Sequence, residues 1–249
     1  MNVLISGISG HMGHAVYRQC VQMGLTVCCG VDLIAPEDIP VPVHASFAEV
    51  TEQVDVIIDF SKPACLSALL DYMTEKKVPA VIATTGFDEA QLAAIDEAAK
   101  QVAIFRSANM SIGVALLREL SRRAAEVLGE TFDIEIVEAH HNRKVDAPSG
   151  TALMLYDAIS EAFDQQPPLV GGRYGRDTKR QKGEVTIHAL RGGTVIGEHE
   201  VCFFGPMERI KLSHSAEDRS VFAVGALRAG VWLAKQEPGL YNMDDMLKG

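Results

Sequence analysis

NVLISGISGHMGHAVYRQCVQMG, residues 2–24, joins an apolar run to a glycine-rich turn and then to a helical pattern. Residues 2–6 are a short apolar run that stops at Gly7. Beyond GISGHMG (7–13), Met12, Ala15, Val16, Gln19, Cys20 and Met23 recur every three or four positions, the stripe of a helix, and Gly24 suits its end. Strand, glycine turn and helix in that order suit a dinucleotide: Gly7 permits the tight turn, Gly10 lets the backbone approach a pyrophosphate, and Gly13 lets the helix pack closely. The N–H groups of the helix start would face the anion; Ile8, Ser9, His11 and Met12 lie in the same turn. The spacing is G-x-x-G-x-x-G, not the commoner G-x-G-x-x-G, and by itself also fits an ordinary turn.

The following segments repeat the pattern. TVCCGVD (26–32), DVIIDF (55–60), AVIATTG (80–86) and VAIFRSAN (102–109) read as buried strands, and residues 63–76 and 88–100 as helices between them. Such alternation predicts a Rossmann-like, doubly wound parallel sheet covered on both faces. Asp32 ends the second strand, about twenty residues beyond the glycines, where an acid accepts hydrogen bonds from ribose hydroxyls. The same acid repels a 2′-phosphate, and Leu33 beside it offers no cation. His11 and Lys62 are the nearby candidates for that role, and each reads equally well as a surface residue. NADH is therefore favoured over NADPH. Two more loops, ATTG (83–86) and SANMSIG (107–113), fall at carboxyl ends of strands, where such sheets bind ligands. Thr84 and Thr85 suit a nicotinamide carboxamide or a plain strand-to-helix cap.

The second half changes character. Val114 to Leu128 reads as a helix. In DIEIVEAHH (133–141), Ile134, Ile136 and Ala139 are apolar against Asp133, Glu135 and Glu138, a half-buried strand with a slip near its end. A helix runs from about Ser149 to Phe163, and residues 164–182 read as a long loop. Residues 184–205 alternate, with Arg191-Gly192-Gly193 as a hairpin turn, and 208–216 is a further strand. These predict a second α+β domain with a mixed or antiparallel sheet and two helices. SVFAVGALRAGVWLAKQ (220–236) reads as an amphipathic helix that would return to pack on the first domain. The expected domains are 1–110 with 219–249 for the dinucleotide, and 111–218 for substrate and oligomerisation, with hinges near 110 and 218.

The 249 residues are 47% hydrophobic and 22% charged, with a net charge of -10, which argues against broad nucleic-acid binding. No apolar run approaches the ~18 residues of a membrane span. Five cysteines without a C-x-x-C pair, and no signal-peptide pattern, lead to the expectation of reduced thiols and a cytoplasmic protein. Against that acidic background EAHHNRKVDAPSGTA (138–152) concentrates positive charge before a helix start. His140 can exchange a proton near neutral pH and Lys144 is a point charge. Ser149, Gly150 and Thr151 would offer backbone N–H groups, with Pro148 in the first turn. The set suits a small carboxylate substrate beside a proton donor. A solvated basic loop, a packing role for Gly150 and a local Asp146 pairing with Arg143 or Lys144 fit the same residues. Adjacent strand residues point to opposite faces, and no further ligands follow at zinc spacing, so no metal site is expected.

EAHHNRKVDAPSGTA closely resembles the signature of the dihydrodipicolinate reductase family, also called 4-hydroxy-tetrahydrodipicolinate reductases. GISGHMG, DFSKP, ATTGFD and SANMSIGV resemble that family's other motifs in the same order, over nearly the whole chain. The resemblance implies NAD(P)H-dependent reduction of 4-hydroxy-tetrahydrodipicolinate (dihydrodipicolinate) to tetrahydrodipicolinate in lysine and diaminopimelate biosynthesis, by a homotetramer whose second-domain sheets pack together. By position it implies His140 and Lys144 as catalytic, and His141, Gly150 and Thr151, with Ser149 beside them, at the substrate. It implies cofactor contacts at residues 7–12, Asp32, Ala83, Thr84, Thr85, Ser107, Ala108, Asn109 and Met110. Many members carry Arg where His11 and Leu33 stand here, and Ala83 replaces a usual Gly. The first two changes remove partners for a 2′-phosphate, which again favours NADH.

Overall fold

The computed structural model describes residues 1–248. The chain divides into two compact units, Met1–Ile112 joined by the segment from Arg219 onward, and Gly113–Asp218. In the first, β1 (Asn2–Ser6), α1 (His11–Gln22), β2 (Thr26–Val31), β3 (Val43–His44), β4 (Val56–Asp59), α2 (Leu66–Lys76), β5 (Ala80–Ile82), α3 (Glu89–Ala99) and β6 (Ala103–Arg106) follow one another. The second contains nearly all of α4 (Ile112–Leu128), then β7 (Asp133–His140), α5 (Gly150–Ser160), β8 (Leu169–Val170), β9 (Val185–Arg191), β10 (Gly197–Phe204) and β11 (Arg209–Ala216). The chain then adds α6 (Ser220–Leu233), β12 (Gly239–Tyr241) and α7 (Met243–Lys248) to the first unit.

The first sheet is parallel throughout, ordered β12-β6-β5-β4-β1-β2-β3. Its central strands are apolar on both faces because both are covered: Leu4, Ile57, Ile82 and Ile104 pack with α2 and α3 residues such as Leu69, Met73 and Ile95. On the other face α6 packs against α1, β4, β5 and β6. Gly225 lets α6 pass the loop after β6, since a Cβ there would sit 1.7 Å from the Met110 carbonyl oxygen. Helix α3 starts at a capping box, Asp88 accepting from the Gln91 N–H while the Gln91 side chain accepts from the Asp88 N–H. The strand order reverses between β1 and β4, so the loops after these strands open a crevice at their carboxyl ends. Strands β3 and β12 are two and three residues long, too short for the hydrophobic pattern to register.

The second sheet is mixed, ordered β11-β10-β7-β9-β8. Helices α4 and α5 cover one face, where Leu117, Leu155 and Ile159 meet Ile136, Ile187 and Phe203. Two expectations fail here. First, Arg191-Gly192-Gly193 is no hairpin turn: β7 lies between β9 and β10, parallel to one and antiparallel to the other. The segment 192–196 must cross two strand spacings of ~4.8 Å each, well within its extended reach of ~17 Å. Turn chemistry reports a reversal of direction but not whether a third strand fills the gap. Second, β7 has no slip. Burial alternates along its length, and Glu138 and His140, not Ala139, continue the buried row of Ile134 and Ile136. A buried carboxylate mimics an out-facing residue in a hydrophobicity pattern, so the pattern alone assigns this end of β7 the wrong parity. Among the described residues no helix is long and apolar enough to cross a membrane.

Candidate active site

The end of β1 feeds the glycine turn. Gly7 has φ +79°, its N–H donates to the Val31 carbonyl (2.9 Å), and a Cβ there would lie 2.7 Å from the Phe60 carbonyl oxygen. A Cβ at Gly13 would be 2.3 Å from the Gly7 carbonyl oxygen, so α1 can approach the turn only without a side chain there. Gly10 is the N-cap of α1, and no side chain caps that helix start. Bare N–H groups behind a glycine are what a pyrophosphate requires. Beside them a cleft of about 410 Å³ is lined by Gly7, Gly10, Asp32, Leu33, Phe60 and Lys62 among others. Asp32 accepts from the Ser9 N–H (3.0 Å) and its own neighbour's N–H at Leu33 (2.8 Å). The Ser9 hydroxyl donates to the Ile34 carbonyl. A carboxylate offers about four lone-pair sites, so two remain for ribose hydroxyls.

Of the two cations weighed for a 2′-phosphate, Lys62 lines this cleft, whereas His11 opens α1 as an exposed residue. Ala83 and Thr84 follow β5, and the Thr84 hydroxyl donates to the buried Asp59 (2.7 Å). Its side chain is thus committed to the fold, while Thr85 is exposed. Burial raises the Asp59 carboxyl above its ordinary range against the lowering effect of bonds from Ser61 and Thr84. After β6, the Ser107 hydroxyl donates to the Asn109 carbonyl (2.8 Å), the Asn109 side chain accepts from the Ser111 N–H (2.9 Å), Ala108 is exposed and Met110 is buried.

The second cluster lies at the end of β7. His140 is 7% exposed, and its Nδ1 sits 2.6 Å from Oε2 of Glu138. Glu138 is fully buried and also accepts from the Ser149 N–H (3.0 Å) and both terminal nitrogens of Arg191 (2.8 Å each). Burial alone would raise this carboxyl, but the bonds from Arg191, His140 and Ser149 outweigh it and hold the group below the usual carboxylate range. Arg191 also donates to the Asp146 carbonyl (2.6 Å), tying β9 to the loop that carries Lys144. The crossing segment closes over the same strand end, with the Gly192 N–H on the His140 carbonyl and the Asn142 N–H on the Gly193 carbonyl. With Nδ1 held by the Glu138 carboxylate, Nε2 is the ring nitrogen outside that bond. A Cβ at Gly197 would come within 3.2 Å of that nitrogen.

His199, opposite Glu138 across the β7–β10 ladder, stacks edge-on to His140 at 5.2 Å. Burial first, then the neighbouring His140, push its imidazole down to about 4, so it is neutral at pH 7. Its Nε2 lies 3.2 Å from the Ser149 hydroxyl. Ser149 is the N-cap of α5, its hydroxyl accepting from the Ala152 N–H (3.2 Å), so both its polar groups are already engaged. Pro148 therefore precedes the helix, after a cis peptide bond, and does not lie in its first turn. Gly150 is the first helical residue, and a Cβ there would meet nothing within 4 Å, which removes close packing as its reason. His141 directly follows β7 and Thr151 lies in the first turn of α5, both half-buried. Lys144 pairs with Asp146 at 2.9 Å, and that bond lowers the Asp146 carboxyl.

The family description "Dihydrodipicolinate reductase, N-terminus" matches residues 1–110, and "Dihydrodipicolinate reductase, C-terminus" matches residues 113–247. The chain belongs to the dihydrodipicolinate reductase family. A curated relative, the 4-hydroxy-tetrahydrodipicolinate reductase of Caldanaerobacter subterraneus subsp. tengcongensis, is 47% identical over 100% of this chain and 98% of its own. A solved dipicolinate-bound dihydrodipicolinate reductase from Paenisporosarcina sp. TG-14 shares the fold at TM-score 0.80 and 24% identity, covering 97% of each chain. An oxidoreductase from Agrobacterium radiobacter, in complex with NAD+, L-tartaric acid and magnesium, shares it more loosely at TM-score 0.56 and 12% identity, over 100% of this chain and 89% of that one. Dihydrodipicolinate reductases are pyridine-nucleotide oxidoreductases of lysine and diaminopimelate biosynthesis, and the glycine turn with its uncapped helix fits such a cofactor. Sequence reasoning missed Glu138, Arg191 and His199. Only Glu138, two residues before His140 in the signature, lay near enough in the chain to be noticed.

Proposed function

We propose that this reductase carries 4-hydroxy-tetrahydrodipicolinate to tetrahydrodipicolinate with NADH, using His140 and Lys144 as its catalytic residues. Loss of the C4 hydroxyl as water turns 4-hydroxy-tetrahydrodipicolinate into the cyclic conjugated imine, dihydrodipicolinate, whose C4 would take the hydride that NADH, held at the glycine turn, would supply. The reduction leaves electron density toward the ring nitrogen, and His140, or a water it orients, returns the proton from Nε2. Glu138 holds the ring in the orientation and tautomer this requires. Lys144 and the start of α5, at Gly150 and Thr151, hold the substrate carboxylates, with His141 beside them. The supporting observation is the Arg191–Glu138–His140 chain, with Glu138 also bonded to the N–H of Ser149, the N-cap of α5, beside the exposed first helical residue Gly150: it orients a proton donor next to a helix start that suits an anion.

NADH preference rests on Asp32 and on Leu33, 87% exposed beside it, which leaves Lys62 as the one cation of the cleft lining. The homotetramer rests on the second sheet, whose face opposite α4 and α5 has no helix of its own unit and carries the partly exposed Val137 and Ala139 and the exposed Leu190. One assay tests the reaction. The cyclic imine is generated enzymatically from pyruvate and aspartate semialdehyde, and oxidation of NADH and NADPH is followed in parallel. Turnover with a higher kcat/KM for NADH is expected. No turnover with either cofactor refutes the reaction, and a clear NADPH preference refutes the Asp32 argument. Light scattering in solution tests the tetramer.

A further inference from the structure

We propose that the β2–β3 edge of the first sheet holds a site for a thiophilic divalent cation, zinc being the chemical case, with Cys28, Cys29, His44 and Glu52 as its ligands. The β1–β2 register jumps from Val3↔Val27 to Leu4↔Cys29, so Cys28 is the extra residue of a bulge. A bulge breaks the alternation of side chains along a strand. Here the two consecutive sulfurs lie 4.0 Å apart. Strand β3 pairs with β2 at Val31↔His44, which carries His44 to the same edge. Glu52, eight positions on, places its carboxylate 2.9 Å from the Nε2 of His44. One donor atom from each of Cys29, His44 and Glu52 lies within 4.8 Å of the others.

Zinc binds sulfur at ~2.3 Å and imidazole or carboxylate at ~2.0–2.2 Å, so two ligand atoms on one tetrahedral ion are about 3.3–3.8 Å apart, roughly 1 Å closer than the widest separation here. Small side-chain rotations close the difference. The donor set, two sulfurs with one nitrogen and one oxygen, is one that zinc accepts in tetrahedral geometry. Burial suits a structural ion with a way in: Cys29 is fully buried, while the side chains of His44 and Glu52 keep 19% and 23% exposure. Binding replaces the His44–Glu52 hydrogen bond by two metal bonds, and each thiol that ligates gives up its proton to solvent. The sequence spacing 28, 29, 44, 52 matches no zinc pattern, because the register shift and the short edge strand assemble the set. An ion here would staple β3, only two residues long, onto β2. It would do so next to the cleft, since the Asp32 N–H donates to the His44 carbonyl (3.0 Å).

The test is titration of the metal-free, reduced full-length protein with cobalt(II), followed by displacement with zinc(II). One equivalent should produce thiolate-to-cobalt charge transfer in the near ultraviolet and the visible bands of tetrahedral cobalt, and zinc should abolish both. The double variant C28S/C29S should lose the charge transfer, and C65S, which removes the exposed thiol, should keep it. Because Cys29 lies in the core, H44Q and E52Q give an independent reading at partly exposed positions. Zinc should raise the thermal midpoint of the unaltered protein and should not raise that of H44Q. Absence of a saturable cobalt spectrum, charge transfer that survives in C28S/C29S or vanishes in C65S, or an equal zinc shift in H44Q would each overturn the site.

Discussion

Replacing Glu138 by Gln changes one oxygen for an amide nitrogen in a fully buried position. The carboxylate now accepts four hydrogen bonds, from His140, Ser149 and twice from Arg191. Glutamine keeps one acceptor oxygen and presents an NH2 group to a guanidinium or to an imidazole N–H. Two charge-assisted bonds are lost, each worth ~1.5–3 kcal/mol, and breaking a buried pair generally costs ~3–5 kcal/mol. Arg191 is 19% exposed and water partly replaces its lost partner, which puts the expected cost near the low end, about 3 kcal/mol. At ~2–4 °C per kcal/mol that is a fall of roughly 6–12 °C in the unfolding transition that contains the second sheet. Calorimetry at pH 7 measures it. The pH dependence has a definite sign. The folded Glu138 pKa is depressed, so its stabilisation is fully present above the unfolded value of 4.5 and is lost as pH falls through the folded one. The deficit of E138Q should therefore shrink below pH 4.5. The same variant should lower kcat by about 10²-fold through disorientation of His140, with KM for NADH unchanged. A transition within 2 °C of the unaltered protein's, as an order-of-magnitude threshold, together with unchanged kcat, would refute the assignment of Glu138 as the group that orders this site.

H140A and K144A should each reduce kcat by about 10²-fold or more while NADH binding, read by fluorescence, stays normal; full turnover in either variant removes that residue from the mechanism. D32A should weaken NADH more than NADPH, measured as the ratio of the two KM values, and an equal loss removes the ribose argument. His199 is pushed down from 6.5 to about 4, so the folded state takes up its proton late and loses stability as pH falls from 6.5 towards 4. At 1.36 kcal/mol per unit this amounts to about 3 kcal/mol, and H199N should flatten the acid limb of a denaturant-melting series by that order. G225A should destabilise the first unit by several kcal/mol or prevent its folding, because the added methyl would sit 1.7 Å from a carbonyl oxygen; a normal melting temperature would contradict the packing of α6.

The amino-acid sequence by itself determined the first unit closely. Strand, glycine turn and helix are local: Gly7 and Gly13 are required by contacts within one turn and its neighbouring strand, and runs such as VIID need burial on both faces wherever they are placed. It also brought together His140, Lys144, Gly150 and Thr151, since twelve consecutive positions carry them. What only the tertiary structure decided is non-local pairing. Whether β9 and β10 form a hairpin or flank β7 is a matter of which strands find each other, and two glycines serve either arrangement. That choice sets Arg191 and His199 against Glu138 from strands about fifty to sixty positions away, and so converts an apparently out-facing acid into a buried one. A charge enters a core when its partners arrive from elsewhere in the chain, and no window of hydrophobicity contains them. The same reasoning covers Cys28, Cys29, His44 and Glu52, gathered by a register shift and a two-residue strand.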